Sequence, residues 1–287
     1  MERLLQAGQE VRAIGRDPTK LRALERKGAE IWLGNLQDPE FLVRAFNGER
    51  AVFAMIPPSY GVTDVRAYQA EVGRSIVEAI ERCGVEHVVN LSSVGAHLES
   101  GTGPILGLRD QEERLNQIKD INVLHLRPTF FMENLMTSIP LIESRRVLAL
   151  ALRSDLRFPM IATRDIADVA SDRLMRRDFL GKVVQTLLGE RDLTMIEVTK
   201  ALGKAIGQPD LRYQQFTYEE ASQSMTGMGC SEDVARCMIE MLRGMNEERV
   251  IAGTTRTPTS TTPTSIETFA WAFADLYASP AKRARAA

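Results

Sequence analysis

Residues 9–20 read QEVRAIGRDPTK, and the fold follows from how this stretch continues on either side. Val11, Ala13 and Ile14 form a short β-rich run that stops at Gly15-Arg16-Asp17-Pro18. Pro18 suits the first turn of a helix, where its fixed φ fits and its missing N–H would have no partner. A strand is therefore predicted over residues 11–14 and a helix over 19–27, closed by Gly28, with a short strand at 31–33. The unit repeats downstream. Helices are predicted at 41–46, 68–83 and 112–118, and strands at 51–56, 87–91 and 123–126. Within 68–83, Ala70, Val72, Ile76, Val77 and Ile80 recur near helical spacing, which marks a packed face. Strands alternating with helices in this way are the signature of parallel βαβ units.

The second half is less regular. A helix is predicted at 164–176 behind Asp165, and strands at 183–188 and 211–216. Thr194-Met-Ile-Glu197 and Thr217-Tyr-Glu-Glu220 have the spacing of capping boxes, opening a helix over 194–206 and a Met-rich helical pair ending near 248. A threonine-rich loop at 253–265 precedes a final helix at 266–277. The expected division is a Rossmann-like domain over residues 1–150, with 160–188 returning to it. A smaller α/β C-terminal domain over 189–278 would serve as substrate or lid domain, followed by a flexible tail at 279–287.

Composition narrows the function classes. The chain has 287 residues, 44% hydrophobic and 26% charged, which is ordinary for a globular protein. A net charge of -2 gives no reason to expect nucleic acid or an anionic membrane as partner. No apolar run approaches the length of a spanning helix, and the charged N-terminus is not a secretory signal. Cys83, Cys230 and Cys237 are too few and too unevenly spaced for a disulfide framework, and His87, His97 and His125 make no metal spacing. The expectation is a cytoplasmic protein with reduced thiols and no metal.

A parallel dinucleotide-binding sheet normally opens with a strand and a glycine-rich turn into a helix, where backbone N–H groups approach the pyrophosphate. Here residues 2–7 look like the C-terminal half of that helix, capped by Gly8. The first strand and glycine loop are missing, so a start assigned too late or a shortened chain is expected; the other reading is a real gap that the remaining strands close. Residues 101–107 (GTGPILG) imitate a glycine fingerprint, but their spacing is wrong and Pro104 interrupts it, so they are read as a loop.

The motifs together resemble the NmrA-like branch of the atypical short-chain dehydrogenase/reductase superfamily. The resemblance rests on QEVRAIGRDPTK, GNLQDP at 34–39, VEHVVNLSSVG at 85–95, RPTFFMENL at 127–135, TRDIA at 163–167 and RTPTSTTPT at 256–264. It implies an NAD(P)-binding Rossmann plan. Arg16 stands where the family often holds the adenosine 2′-phosphate, and a guanidinium suits bidentate phosphate contact, which favours NADP(H) over NAD(H). Asn35 and Leu36 fall at the adenine position. Ile56 and Pro57 lie at a strand end where such sheets bind ligands, and Ser92 and Ser93 occupy the position of the usual catalytic serine. Pro128 and Thr129 would lie beside the nicotinamide, with Phe130, Phe131 and Asn134 as the acceptor pocket. Met225, Met228, Met238 and Met241 are read as helix packing, with an adaptable apolar cover as the alternative.

The sequence departs from the superfamily at its Tyr-x-x-x-Lys pair. The matching residues read ILGLR, so no phenol is present and Arg109 stands for the lysine. Arg109 could hold a ribose hydroxyl or a phosphate, but arginine does not supply a proton. Reduction of a ketone is then poorly served, whereas a quinone-like acceptor can take its protons from water. The expected function is quinone-type reduction by NAD(P)H. The alternatives are a non-catalytic NADP-sensing regulator with a protein partner, and a chain that binds no dinucleotide.

Overall fold

The computed structural model describes residues 1–279; the expected tail lies, from residue 280 onward, outside the described residues. In chain order the elements are α1 (Glu2–Gln6), β1 (Arg12–Gly15), α2 (Pro18–Glu25), β2 (Glu30–Leu33), α3 (Pro39–Phe46), β3 (Ala51–Ala54), α4 (Val65–Cys83), β4 (His87–Leu91), α5 (Ile105–Gln117), β5 (Asn122–Pro128) and β6 (Phe130–Phe131). A 3-10 helix, Met132–Ser138, leads to α6 (Ile139–Arg145), β7 (Val147–Leu150), β8 (Phe158–Ile161), α7 (Thr163–Arg176), β9 (Lys182–Leu187) and β10 (Asp192–Leu193). The chain continues through α8 (Met195–Ala205), β11 (Arg212–Gln215), α9 (Tyr218–Gly227), α10 (Glu232–Asn246) and α11 (Ile266–Tyr277).

The fold is α/β, a parallel sheet flanked by helices. Strands β3, β4, β5 and β9 pair in parallel in the order β3-β4-β5-β9, and β1 pairs in parallel with β2 as a separate ribbon. No hydrogen-bonded strand joins β1 to β3 among the described residues. One face of the larger sheet packs Val52, Val88 and Val123 against Leu42, Val72, Ile76 and Leu115 of α3, α4 and α5. The opposite face sets Val89, Leu124 and Leu126 against Ile166 and Ala170 of α7. Continuous burial on both faces explains why these strands read as apolar runs rather than alternating ones.

Local signals set the helix ends. Asp17, Asp38 and Asp64 each accept a backbone N–H in the first turn of α2, α3 and α4, with proline at the start of the first two. Gly84 closes α4 in the left-handed region at φ 66°. Both capping boxes form, Thr194 with Glu197 and Thr217 with Glu220.

Residues 101–107 differ from expectation. They form a loop only as far as Pro104, after which α5 begins at Ile105. The helix can start there because its glycine admits a neighbour: a Cβ on Gly107 would fall on the Gln69 carboxamide of α4, and one on Gly73 of α4 would fall on Gln111 of α5. The two helices thus approach by exchanging a glycine for a glutamine in each direction. Gly103, at φ 56°, lies against the Cys237 carbonyl of α10, so that helix seats directly on the α5 entry.

The C-terminal third builds its own core. Strand β7 pairs with β11 and β8 with β6 and β10, and Phe158, Leu148, Leu202 and Phe273 are fully buried among them. Buried Asp165 at the start of α7 accepts from the Thr264 N–H and hydroxyl, anchoring the threonine-rich loop to the sheet's second layer. Glu133 accepts from the Thr163 N–H and hydroxyl and so caps the same helix. Among the described residues no helix is long and apolar enough to cross a membrane.

Candidate functional site

The parallel strands β3, β4 and β5 all end toward one cavity of about 310 Å³, within the range of small-molecule sites. Its walls come from the ends of three strands and from helices α4, α5 and α10. Residues 55–60 follow β3, Leu91–Val94 extend β4, and Thr129, Phe130, Phe131 and Asn134 follow β5. The first turns of α4 and α5 add Val65, Tyr68, Gln69, Ile105 and Leu108. Helix α10 covers the space with Val234, Cys237, Met238, Met241 and Met245. The lining is largely apolar. Phe130 stands edge-on to buried Phe158, with ring centroids 5.7 Å apart.

The cover is tied down by polar contacts. Ser231 donates through its N–H to the Tyr60 carbonyl at 2.8 Å and through its hydroxyl to the Val62 carbonyl at 2.5 Å. Asp233 accepts the Val65 N–H at 2.8 Å, and this bond, with the Arg236 guanidinium, holds its carboxyl below the usual range. Cys237 is buried in the wall, and burial pushes its thiol up, toward the unreactive protonated form.

Beneath the floor lies a buried polar network. Arg127 of β5 grips Glu112 of α5 with two donors, at 2.9 and 2.5 Å. Burial opposes the charge on Glu112, but Arg127, the Ser92 hydroxyl and His125 together hold its carboxyl below the usual range. Ser92 is buried, and its Oγ makes no hydrogen bond of good geometry among the described residues. His125 is 1% exposed, with Nδ1 3.1 Å from the Asn90 amide nitrogen and Nε2 3.0 Å from the Asn116 amide oxygen. This places its proton on Nε2, the tautomer that satisfies both asparagines.

Burial, only partly opposed by Glu112, pushes His125 down to about 4. Between its unfolded pKa of about 6.5 and that value, the unfolded chain binds a proton that the folded chain excludes. Folding stability is therefore expected to fall by about 3 kcal/mol as pH drops from 6.5 to 4. Half-buried His87, also pushed down by burial, adds a slope of the same sign. Urea unfolding at stepped pH measures the fall. His125→Gln keeps one donor and one acceptor and should flatten the profile; an unchanged profile would place the acid sensitivity elsewhere.

The expected site residues distribute as follows. Ile56, Pro57, Ser92, Ser93, Thr129, Phe130, Phe131 and Asn134 all meet at the cavity. Pro128 sits behind Thr129 as the last residue of β5, with its carbonyl accepting the Val94 N–H. Arg16 is exposed just past β1, with no hydrogen bond or ion pair among the described residues, and its charge reaches the Tyr68 phenol. Asn35 uses its side-chain oxygen to accept the Gln37 N–H, beside a half-buried Leu36. Arg109 is not on the cavity wall; it pairs with Glu113 at 2.8 Å and Glu99 at 3.5 Å. Met238 and Met241 do line the cavity, while Met228 is exposed. Sequence reasoning missed Tyr68, Gln69 and Met245, and no group of potential metal ligands forms among the described residues.

Arg16 is an exposed cation past the end of β1, unengaged among the described residues, and Ser92 is a buried hydroxyl at the end of β4 beside the Glu112 carboxylate. Gly34 lets the backbone after β2 lie against the Phe41 ring, where a Cβ would clash. For the pyrophosphate, the described residues present no glycine-rich turn from a strand into a helix.

Comparison with known proteins agrees with this architecture. An NAD(P)H azoreductase of Xenophilus azovorans is 31% identical over 242 residues, covering 83% of this chain and 80% of that protein. An agroclavine dehydrogenase of Claviceps purpurea is 26% identical, covering 70% of each. Among solved structures, the Citrobacter sp. triphenylmethane reductase complexed with NADP(H) superposes with a TM-score of 0.77 at 18% identity, covering 95% of this chain and 94% of that one. An Escherichia coli NADPH-dependent quinone oxidoreductase gives 0.73 at 18% identity, with 94% and 93% covered. The profile of the NmrA-like family matches residues 1–270, and the chain belongs to that family.

Proposed function

We propose that the chain is an NAD(P)H-dependent oxidoreductase that reduces an apolar aromatic acceptor, quinone-like in shape and chemistry. The observation that carries this reading is the cavity, an apolar space at the C-terminal ends of parallel strands with few polar groups. Arg16 would hold the 2′-phosphate, with NADP(H) preferred over NAD(H), and Asn35 and Leu36 would flank the adenine. Ile56, Pro57, Ser92, Ser93, Pro128 and Thr129 would hold the nicotinamide end, and Phe130, Phe131 and Asn134 the acceptor. Arg109, engaged with Glu113 and Glu99, would act only from the rim.

The bound cofactor would supply hydride at nicotinamide C4. The protein's part would be to hold a flat acceptor beside it and limit access of water, and the aromatic floor and methionine cover support that role. Methionine suits such a cover because its flexible thioether adapts to acceptors of different outline. The names of the azoreductase, quinone oxidoreductase and triphenylmethane reductase support an aromatic acceptor.

The test is NADPH oxidation in the presence of a naphthoquinone or an azo dye, with NADPH binding measured on the same sample. Turnover that requires chain and acceptor is the expected result. Binding without turnover would assign the chain to cofactor sensing, and no binding would remove the dinucleotide from the account.

A further inference from the structure

Resting on that functional reading, one question of chemistry remains. Reduction of an unsaturated bond needs a proton as well as a hydride, and residues 105–109 hold no phenol. The cavity receives one from a different helix. We propose that Tyr68 of α4 is the acid of this site: its phenol donates a hydrogen bond to a nitrogen of a bound aromatic azo compound and protonates it as hydride arrives.

Tyr68 is 9% exposed and lines the cavity together with Ser92 and Phe130. Its ring packs in the α3–α4 core, which fixes its direction. Among the described residues no hydrogen bond engages its hydroxyl. The other phenol of the wall, Tyr60, is 58% exposed, and several other polar groups are already engaged. The Ser93 hydroxyl donates to the Val94 carbonyl at 2.9 Å, that of Thr129 to the Pro159 carbonyl at 2.8 Å, and the Gln69 amide to the Pro104 carbonyl at 2.9 Å. Ser92 lies beside the Glu112 carboxylate, and its aliphatic hydroxyl is a much weaker acid than a phenol.

The electrostatics suit the role. Burial pushes the Tyr68 phenol up, so it carries its proton at neutral pH; Arg16 is the charged group that opposes this. One nitrogen of the N=N bond takes the hydride from the reduced nicotinamide. The π bond breaks, and its electron pair takes the Tyr68 proton at the other nitrogen. The products are the hydrazo compound and the oxidised nicotinamide, and the phenolate regains a proton from solvent. A quinone places less demand on such an acid, because the hydroquinone monoanion is a far weaker base than a nitrogen anion.

Tyr68→Phe tests this, since it keeps the ring and removes the hydroxyl. Without cofactor, azobenzene should bind the variant about 5- to 10-fold more weakly than it binds the natural chain, the worth of one hydrogen bond. Stilbene, the same shape without nitrogen lone pairs, should bind both equally. With NADPH, azo turnover should fall about 100-fold, and quinone turnover should fall by less. A thermal melt confirms that the variant is folded, and a solvent deuterium isotope effect on azo turnover in the natural chain is expected independently of any variant. Equal loss for azobenzene and stilbene, retained azo turnover, or no isotope effect would overturn the role of Tyr68. If the natural chain reduces neither acceptor, the functional reading fails instead, and the azobenzene–stilbene comparison still judges the contact.

Discussion

Arg16→Glu is expected to weaken NADPH binding roughly 100-fold while leaving NADH binding within about threefold. A bidentate, charge-assisted contact to a phosphate is worth about 1.5–3 kcal/mol. Reversing the charge adds a repulsion on the order of 1 kcal/mol at an exposed site, and the sum of about 3 kcal/mol corresponds to roughly that factor. Arg16 is free to make the contact, because no carboxylate engages it among the described residues. It also sits just past β1, and its charge reaches Tyr68 of the cavity wall. Fluorescence titration with each cofactor reads the effect, which should shrink at high salt as surface charges are screened. Equal losses for NADPH and NADH would mean that Arg16 does not meet the 2′-phosphate.

The second large effect is on stability. Glu112→Ala is expected to cost about 3–5 kcal/mol, because it leaves the Arg127 guanidinium without its partner in a largely buried place. The side chains of Arg127 and Glu112 are 19% and 6% exposed, so water repays little of the loss. The consequence reaches the cavity: Arg127 lies one residue before Pro128 and two before Thr129, and Glu112 interacts with Ser92 at the end of β4. Chemical denaturation measures the cost. Replacing both partners, Glu112→Leu with Arg127→Met, should recover most of it, since apolar groups of similar size leave no stranded charge. A double variant as unstable as the single one would show that the pair matters for packing rather than for charge. The carboxyl of Glu112 is held below its ordinary value, so its contribution is present above about pH 4.5 and is lost as pH falls through the folded value. That loss follows the His125 slope on the acid side.

The first half of the chain was legible because each element carries its own punctuation. The strand at 87–91 and the final helix at 266–277 match β4 and α11, and the helix expected at 41–46 extends only to include Pro39 and Glu40. Asp-Pro pairs, Gly84 and the two capping boxes are local signals that tertiary packing did not override. Helix α5 was expected at 112–118 but starts at Ile105. Its entry and first turn hold one glycine each, Gly103 and Gly107, whose purpose is close approach to α10 and α4 and shows only in three dimensions. Strands β6, β7, β8 and β10 were not anticipated, since each is defined by its partner rather than by a pattern.

The site divides along the same line. Ser92, Ser93 and the residues 128–131 follow strands, so strand ends located them. Tyr68 and Met245 sit on helices whose apolar spacing reads equally as core, and only the cavity distinguishes the two. Tyr68 lay at the predicted start of its helix, whereas α4 begins a turn earlier behind Asp64, which sets the phenol inside the first turn and against the cavity.

The central claim is that nicotinamide and aromatic acceptor meet in this cavity. An anaerobic single-turnover experiment tests it most directly: the chain is mixed with one equivalent of NADPH, then with a naphthoquinone, and the nicotinamide absorbance is followed. The expected result is saturable binding of NADPH, no oxidation before the acceptor is added, and one NADPH consumed per quinone afterwards. NADPH that binds and stays reduced in the presence of excess acceptor would contradict it.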